Sequence, residues 1–263
     1  MAKYKMLWQS STVIDGMPAY KEAIQAHGKK ILGPDVELKV RGVKKGTSDI
    51  HYLSFDFLNN TLFFDSVVSA EKEGCDAVAI GCFLDPIIEE LREIVDIPVM
   101  TLGEAAMLTA CMLGKRFSII SYLPHINTKR VNDLVHHYGL SQRAAPFTHF
   151  DLSLPEMEEG FKGDLIAVEK FKKAAKEAVA KGADVLVPGC GCLNLILMNA
   201  KVNEVEGAPV LDISGALMKV TEMMIVLKKV SGTKISRVGY YESPPKEKIE
   251  EVLKLFGRGK VID

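Results

Sequence analysis

The sequence predicts an α/β protein of two pseudo-symmetric lobes, each a four-stranded parallel sheet flanked by helices, with a cleft between them. Three observations carry that expectation. Short apolar runs alternate with segments of helical periodicity along the chain, the pattern of right-handed βαβ units and parallel sheets. One segment occurs twice, as Glu73-Gly-Cys-Asp-Ala-Val-Ala-Ile-Gly-Cys82 and as Lys181-Gly-Ala-Asp-Val-Leu-Val-Pro-Gly-Cys190. The offset is constant, because Gly74 and Gly182, Asp76 and Asp184, and Cys82 and Cys190 are each 108 positions apart.

Taken in order, strands are expected at residues 4–9, 36–40, 77–81, 98–102, 116–121, 145–149, 185–189 and 209–212, each an apolar run bounded by turn residues. Helices are expected at 60–74, 86–95, 103–113, 128–138, 165–181, 214–230 and 245–256 from their 3.6-residue spacing. The second of these has a start signal, with Asp85 as N-cap, Pro86 in the first turn and Glu89-Glu90 near the positive end. The repeat continues beyond the cysteines: Ile97-Pro-Val-Met100 is echoed by Ala208-Pro-Val-Leu211 at an offset of 111. An Ala- and Met-rich helix follows each copy, beginning at Gly103 and at Ser214. The last helices come after the second set of strands, so the C-terminal segment is expected to return to the first half. The expected lobes are residues 1–113 plus 214–263, and 114–213.

Composition bounds the function. The chain has 263 residues, 48% hydrophobic and 25% charged, with a formal net charge of -1, enough to bury a substantial core and without the basic surplus that nucleic acid or an anionic membrane would require. Neither is an expected partner. No window has the length of apolar sequence that spans a bilayer, and the start, Met-Ala-Lys-Tyr-Lys-Met-Leu-Trp, has no apolar core of a secretory leader. A cytoplasmic protein that takes a small molecule and forms a homo-oligomer is expected. Five cysteines, an odd number, argue for free thiols over a disulfide framework.

Which thiols do chemistry follows from position. Ligands of open α/β sheets bind outside the carboxyl ends of strands, where Cys82 and Cys190 both fall. A thiol there, beside a helix N-terminus, is favoured as thiolate. If the two copies are halves of one fold, the sulfurs enter one cleft from opposite sides, the geometry of two-sided proton transfer at a carbon. Cys75, on a turn, and Cys111, in a helix, read as packing residues. Cys190-Gly-Cys192 is too short and too isolated for a zinc site, which needs four ligands. His136 and His137 fall in a helix, and His27, His51, His125 and His149 are scattered. A nucleotide loop at Gly189 lacks its third glycine, since Asn194 takes that place. No metal and no cofactor are expected.

Cys82-Phe-Leu-Asp-Pro86, Asp96-Ile-Pro-Val99, Gly103-Glu-Ala-Ala106 and Gly182-Ala-Asp-Val-Leu-Val-Pro-Gly-Cys190 resemble the hydantoin racemase branch of the aspartate/glutamate racemase superfamily over nearly the whole chain. The branch has Gly where Leu84 stands, Gly-Cys-Ala-Gly-Met where Gly189-Cys-Gly-Cys-Leu193 stands, and Asn-Pro-Asn before a Ser or Thr where this chain reads Trp8-Gln-Ser-Ser-Thr12. The resemblance implies a cofactor-independent racemase or epimerase with one cysteine per lobe. Cys82 and Cys190 would exchange a proton at an acidic carbon α to a carbonyl of a hydantoin-like or amino-acid-derived substrate, one as thiolate and one as thiol. Backbone N–H groups after the two cysteines would hold the developing enolate. Ser10, Ser11, Phe83, Ser121 and Gly191 complete the expected substrate-binding set, and Glu104 is a supporting group by resemblance. Two alternatives stay open: a decarboxylase or isomerase of the superfamily using one cleft cysteine, and a two-lobed binding protein without turnover.

Overall fold

The computed structural model describes residues 3–47, 50, 52–122 and 125–258, with the side chains of 125–128 excepted. His51 and the side chain of His125 lie outside the described residues. In chain order the elements are β1 (Tyr4–Gln9), α1 (Pro18–Ile31), β2 (Val36–Arg41), α2 (Leu53–Lys72), β3 (Ala77–Ile80), α3 (Ile88–Ile94), β4 (Val99–Thr101), α4 (Leu102–Leu113), β5 (Phe117–Ser121), α5 (His125–His137), β6 (Thr148–His149), α6 (Leu154–Phe161), α7 (Ile166–Ala180), β7 (Val185–Pro188), α8 (Gly191–Asn199), β8 (Glu204–Val205), β9 (Ala208–Pro209), α9 (Ile213–Ser231) and α10 (Lys246–Leu255).

Two parallel sheets result, ordered β2-β1-β3-β4 and β6-β5-β7. β3 and β7 occupy equivalent places, each beside the first strand of its own half, and their bounds differ by the same 108 positions as the cysteines that follow. The aspartates of the repeat explain the matched register. Asp76 accepts the Lys5 N–H at 2.8 Å, while Asp184 accepts those of Lys115 and Arg116 at 2.9 and 2.8 Å. Each carboxylate thus ties the start of its strand to the start of the neighbouring one.

The second sheet has three strands, where the sequence predicts four. Its fourth place is taken by Val210, which makes one parallel bridge to Leu186, with the Leu211 N–H donating to Leu186 O at 2.8 Å. The preceding residues are drawn into an antiparallel hairpin, β8 with β9, and Pro209 has no N–H to extend a parallel ladder. β6 is shorter than expected for the same reason, since Pro146 interrupts it.

One core cluster runs through both halves and includes Trp8, Ile24, Phe117, Phe171, Leu193 and Met218, and a smaller one gathers Leu7, Phe63, Ile80, Leu91 and Leu253. Leu253 of α10 therefore packs on the first sheet's side. Arg237 reinforces that return, donating to the backbone oxygens of Arg92 and Val95 at 2.8 and 2.5 Å.

Candidate active site

The first-half thiol follows β3. Gly81 precedes it because a Cβ there would lie 2.6 Å from the Trp8 ring, so only glycine lets the strand end pass over the buried indole. The loop after Cys82 departs from expectation. Asp85 does not cap its own helix: Asp85 and Ile87 both take left-handed conformations, φ 46° and 44°, and α3 starts only at Ile88. The Asp85 carboxylate instead accepts the Gly103 and Glu104 N–H groups at 2.7 Å each, capping α4, and the Tyr138 hydroxyl at 2.9 Å. Glu104 is committed to Arg92, with two contacts of 3.1 and 2.5 Å.

The second-half thiol sits differently. Cys190 follows β7 after Gly189 and is the N-cap of α8, which sets it at the N–H groups of that helix's first turn. Only this one of the two cysteines has the helix N-terminus that the sequence reading gave both.

Cys82 and Cys190 line one cavity of about 530 Å³. Ser11, Phe83 and Gly191 of the expected binding set share its wall. Ser10 and Ser121 do not. Ser10 is buried, its hydroxyl 2.9 Å from that of Thr12, and Ser121 is buried at the end of β5. The wall also holds residues that the sequence reading did not single out: Tyr20 from α1, Tyr122 just after β5, and Leu152, Leu154 and Met157 at α6. Tyr122 carried a usable signal, since it too stands just beyond the carboxyl end of a strand. Tyr20 and α6 are brought in by tertiary packing alone.

The electrostatics separate the two thiols. Burial pushes Cys82 up to about 12, against smaller opposing contributions from the Leu84 N–H and the Ser11 hydroxyl. For Cys190 the largest influence is a hydrogen bond from the Cys192 thiol. Together with the Tyr122 hydroxyl, at 3.5 Å, and the N–H groups of Leu193 and Cys192, it outweighs burial and holds Cys190 below the usual thiol range. Among the described residues no group of three or more His, Cys, Asp or Glu could hold a metal ion, and no helix is long and apolar enough to cross a membrane.

Two parallel sheets that each deliver a strand-end thiol to a shared cavity define a recognisable class of α/β protein. A family model described as Asp/Glu/Hydantoin racemase matches residues 58–221. The hydantoin racemase of Pseudomonas sp. (strain NS671) is 27% identical over 243 residues, 92% of this chain and 94% of that protein. The hydantoin racemase of Paenarthrobacter aurescens is 32% identical over 182 residues, 68% of this chain and 73% of its own. Among solved structures, allantoin racemase from Klebsiella pneumoniae matches with a TM-score of 0.77 and 26% identity, covering 92% of this chain and 94% of that one. The chain belongs to the Asp/Glu/hydantoin racemase family. It is an isomerase of the racemase type.

Proposed function

We propose that this chain racemises a hydantoin-like ring at the acidic carbon next to its carbonyl, without a cofactor, by proton transfer between Cys82 and Cys190. The observation that carries the reading is that the two sequence-equivalent thiols line the same cavity. In the forward direction the Cys190 thiolate takes the α-proton and the C–H electron pair moves into the carbonyl, giving an enolate. The Cys82 thiol then protonates the opposite face and is left as thiolate. The reverse reaction exchanges the roles. Involvement of both thiols favours racemisation over decarboxylation, which needs one.

The cavity wall supports a neutral ring over a free amino acid. Among the described residues that line it none is Lys or Arg, and the one carboxylate is Glu158. A free α-carboxylate would find no cation there, whereas a neutral imide loses less on leaving water. Leu84, Leu152, Leu154 and Met157 offer apolar surface to a substituent on the ring.

The lobe division at residues 113/114 and 213/214 is part of the proposal, supported by the packing of α10 on the first sheet. So is a homo-oligomer, for which exposed Leu108 and Met112 on α4 and Val230 on α9 provide apolar surface. A cytoplasmic setting fits five unpaired cysteines.

The test is incubation with single enantiomers of 5-substituted hydantoins, free aspartate and glutamate, and arylmalonates in D2O. Deuterium entry at the α-carbon together with loss of optical rotation, confined to the neutral rings, is expected. Turnover of the free amino acids, or carbon dioxide release from the malonates, would overturn the reading.

A further inference from the structure

β1 lies inside the first sheet, paired with β2 on one side and β3 on the other, and its last four residues are buried. A parallel strand in that place is expected to carry apolar side chains to its end. It ends instead in Gln9, which is fully buried. A buried amide is costly unless both of its ends are hydrogen-bonded, and here both are. Its Nε2 donates to the Ser10 carbonyl at 2.9 Å, and its Oε1 accepts the hydroxyl of Ser66 from α2. The Ser10 carbonyl can only accept, so the orientation of the amide is fixed. Ser66 is met in turn by Arg41, the last residue of β2, whose Nη1 donates at 3.4 Å to both its backbone oxygen and its hydroxyl. The other end of that guanidinium donates to both Glu73 oxygens at 2.7 Å.

This run of side chains ends on a turn at the cavity wall. Ser11 and Thr12 line the cavity that holds Cys82 and Cys190, whereas Gln9, Ser10 and Ser66 stand behind it. Three further bonds pin the turn: the Ser10 N–H donates to Arg41 O at 2.7 Å, the Val43 N–H to Thr12 O at 3.0 Å and the Thr12 N–H to Ser10 Oγ at 3.3 Å. Gly42 permits the close approach of the chain after β2, since a Cβ there would lie 2.5 Å from Thr12 O. The two backbone pairings among these need no particular side chain. The tie from α2 to the Ser10 carbonyl needs the Gln9 amide.

We propose that Gln9 is a positioning residue for substrate recognition: its amide, clamped by Ser66, fixes the Ser10 carbonyl and with it the presentation of Ser11 and Thr12 to the substrate. The effect on the reaction rests on the racemase reading above, but the order of the turn does not. Neither Gln9 nor Ser66 lines the cavity, so loss of the clamp weakens binding and leaves the two thiols in place. A turn that has to be ordered at each binding event costs affinity, because the ordering entropy is then drawn from the interaction itself.

The test compares the full-length wild type with Gln9→Leu, which keeps nearly the same volume and removes both bonds, and with Ser66→Ala, which removes the donor to Oε1. One readout is amide hydrogen exchange by mass spectrometry, in a peptide covering residues 10–14 and in one covering β7. The other is racemisation of a neutral 5-substituted hydantoin. In Gln9→Leu exchange at 10–14 quickens about tenfold while β7 keeps its rate, and KM rises about tenfold with kcat changed by less than about threefold. Ser66→Ala moves both readouts in the same direction by about threefold. If Gln9→Leu does not fold, Ser66→Ala decides on the same readouts. Unmoved exchange at 10–14 in the folded variant, exchange that quickens equally in β7, or a loss carried by kcat alone overturns the inference. A wild type that turns over no neutral ring sinks the racemase reading, and exchange at 10–14 then judges the clamp by itself.

Discussion

The Tyr138 hydroxyl, at the end of a helix from the second half, donates to Asp85 Oδ2 in the loop after Cys82 at 2.9 Å. That carboxylate also caps α4, so one buried group joins the Cys82 loop, the α4 N-terminus and the opposite half. Asp85→Ala leaves two helix N–H groups and a phenol without their partner, and is expected to cost about 1–3 kcal/mol of stability by denaturant melts. Tyr138→Phe should cost less, about 1 kcal/mol. In a double-mutant cycle the two losses should fall short of additive, because the second change removes a bond already broken. Additive losses would mean that Tyr138 does not lean on Asp85.

Cys82→Ser and Cys190→Ser are each expected to lower racemisation by more than about a thousandfold with unchanged circular dichroism, since an alcohol is far too weak a base for the step. Each single variant keeps a thiol on one face and should still exchange the α-proton of one enantiomer in D2O. The two variants should prefer opposite enantiomers. A dead Cys192→Ser with an active Cys190→Ser would move the second thiol of the pair from Cys190 to Cys192.

The repeat made the site legible before any coordinates: a shared offset of 108 places β3 over β7, Asp76 over Asp184 and Cys82 over Cys190. What escaped has identifiable physical causes. α2 begins at Leu53 instead of residue 60 because its first turns expose Leu53, Phe57 and Leu58 and so lack the apolar stripe that periodicity detects. α8, apolar on nearly every side and buried throughout its first seven residues, has no polar face to give a helical period, so no helix was expected there. Asp85 followed by proline is a sound capping signal, yet tertiary structure offered its carboxylate the end of another helix. Tyr20 reaches the cavity from 170 residues away in sequence from Cys190, and no local pattern records that.

Glu73 anchors the first half in acid. Burial acts to raise its carboxyl, but hydrogen bonds from Arg41, Lys39 and Ser69 prevail and lower it to about 2. A carboxylate depressed on folding stabilises above its unfolded value, and the contribution is lost as pH falls through the folded one. Urea stability of the wild type is therefore expected to decline between about pH 4.5 and 2. Glu73→Gln should flatten that decline and cost about 1–2 kcal/mol at neutral pH. An acid limb of the same slope in the variant would assign it to other carboxylates.

The separation of the two thiols predicts the shape of catalysis with pH. Cys190 must be a thiolate to accept the proton, so activity rises as pH passes its lowered value, below that of a free thiol. Cys82 must be protonated to donate, so activity falls only as pH approaches its raised value of about 12. A broad plateau from near neutrality into the alkaline range is the expected profile of kcat/KM. Asymmetry at rest adds a second signature. The enantiomer whose proton faces Cys190 meets the base ready, while its mirror image needs the less populated form with the thiolate on Cys82. Because the equilibrium constant between enantiomers is one, kcat/KM must be equal in the two directions, so the difference has to emerge as matched differences in kcat and in KM. Progress curves started from each pure enantiomer measure this directly. Identical kcat and KM in both directions, together with a narrow bell centred near the pKa of an ordinary thiol, would mean that Cys82 and Cys190 titrate alike and that the environments around them have no kinetic consequence.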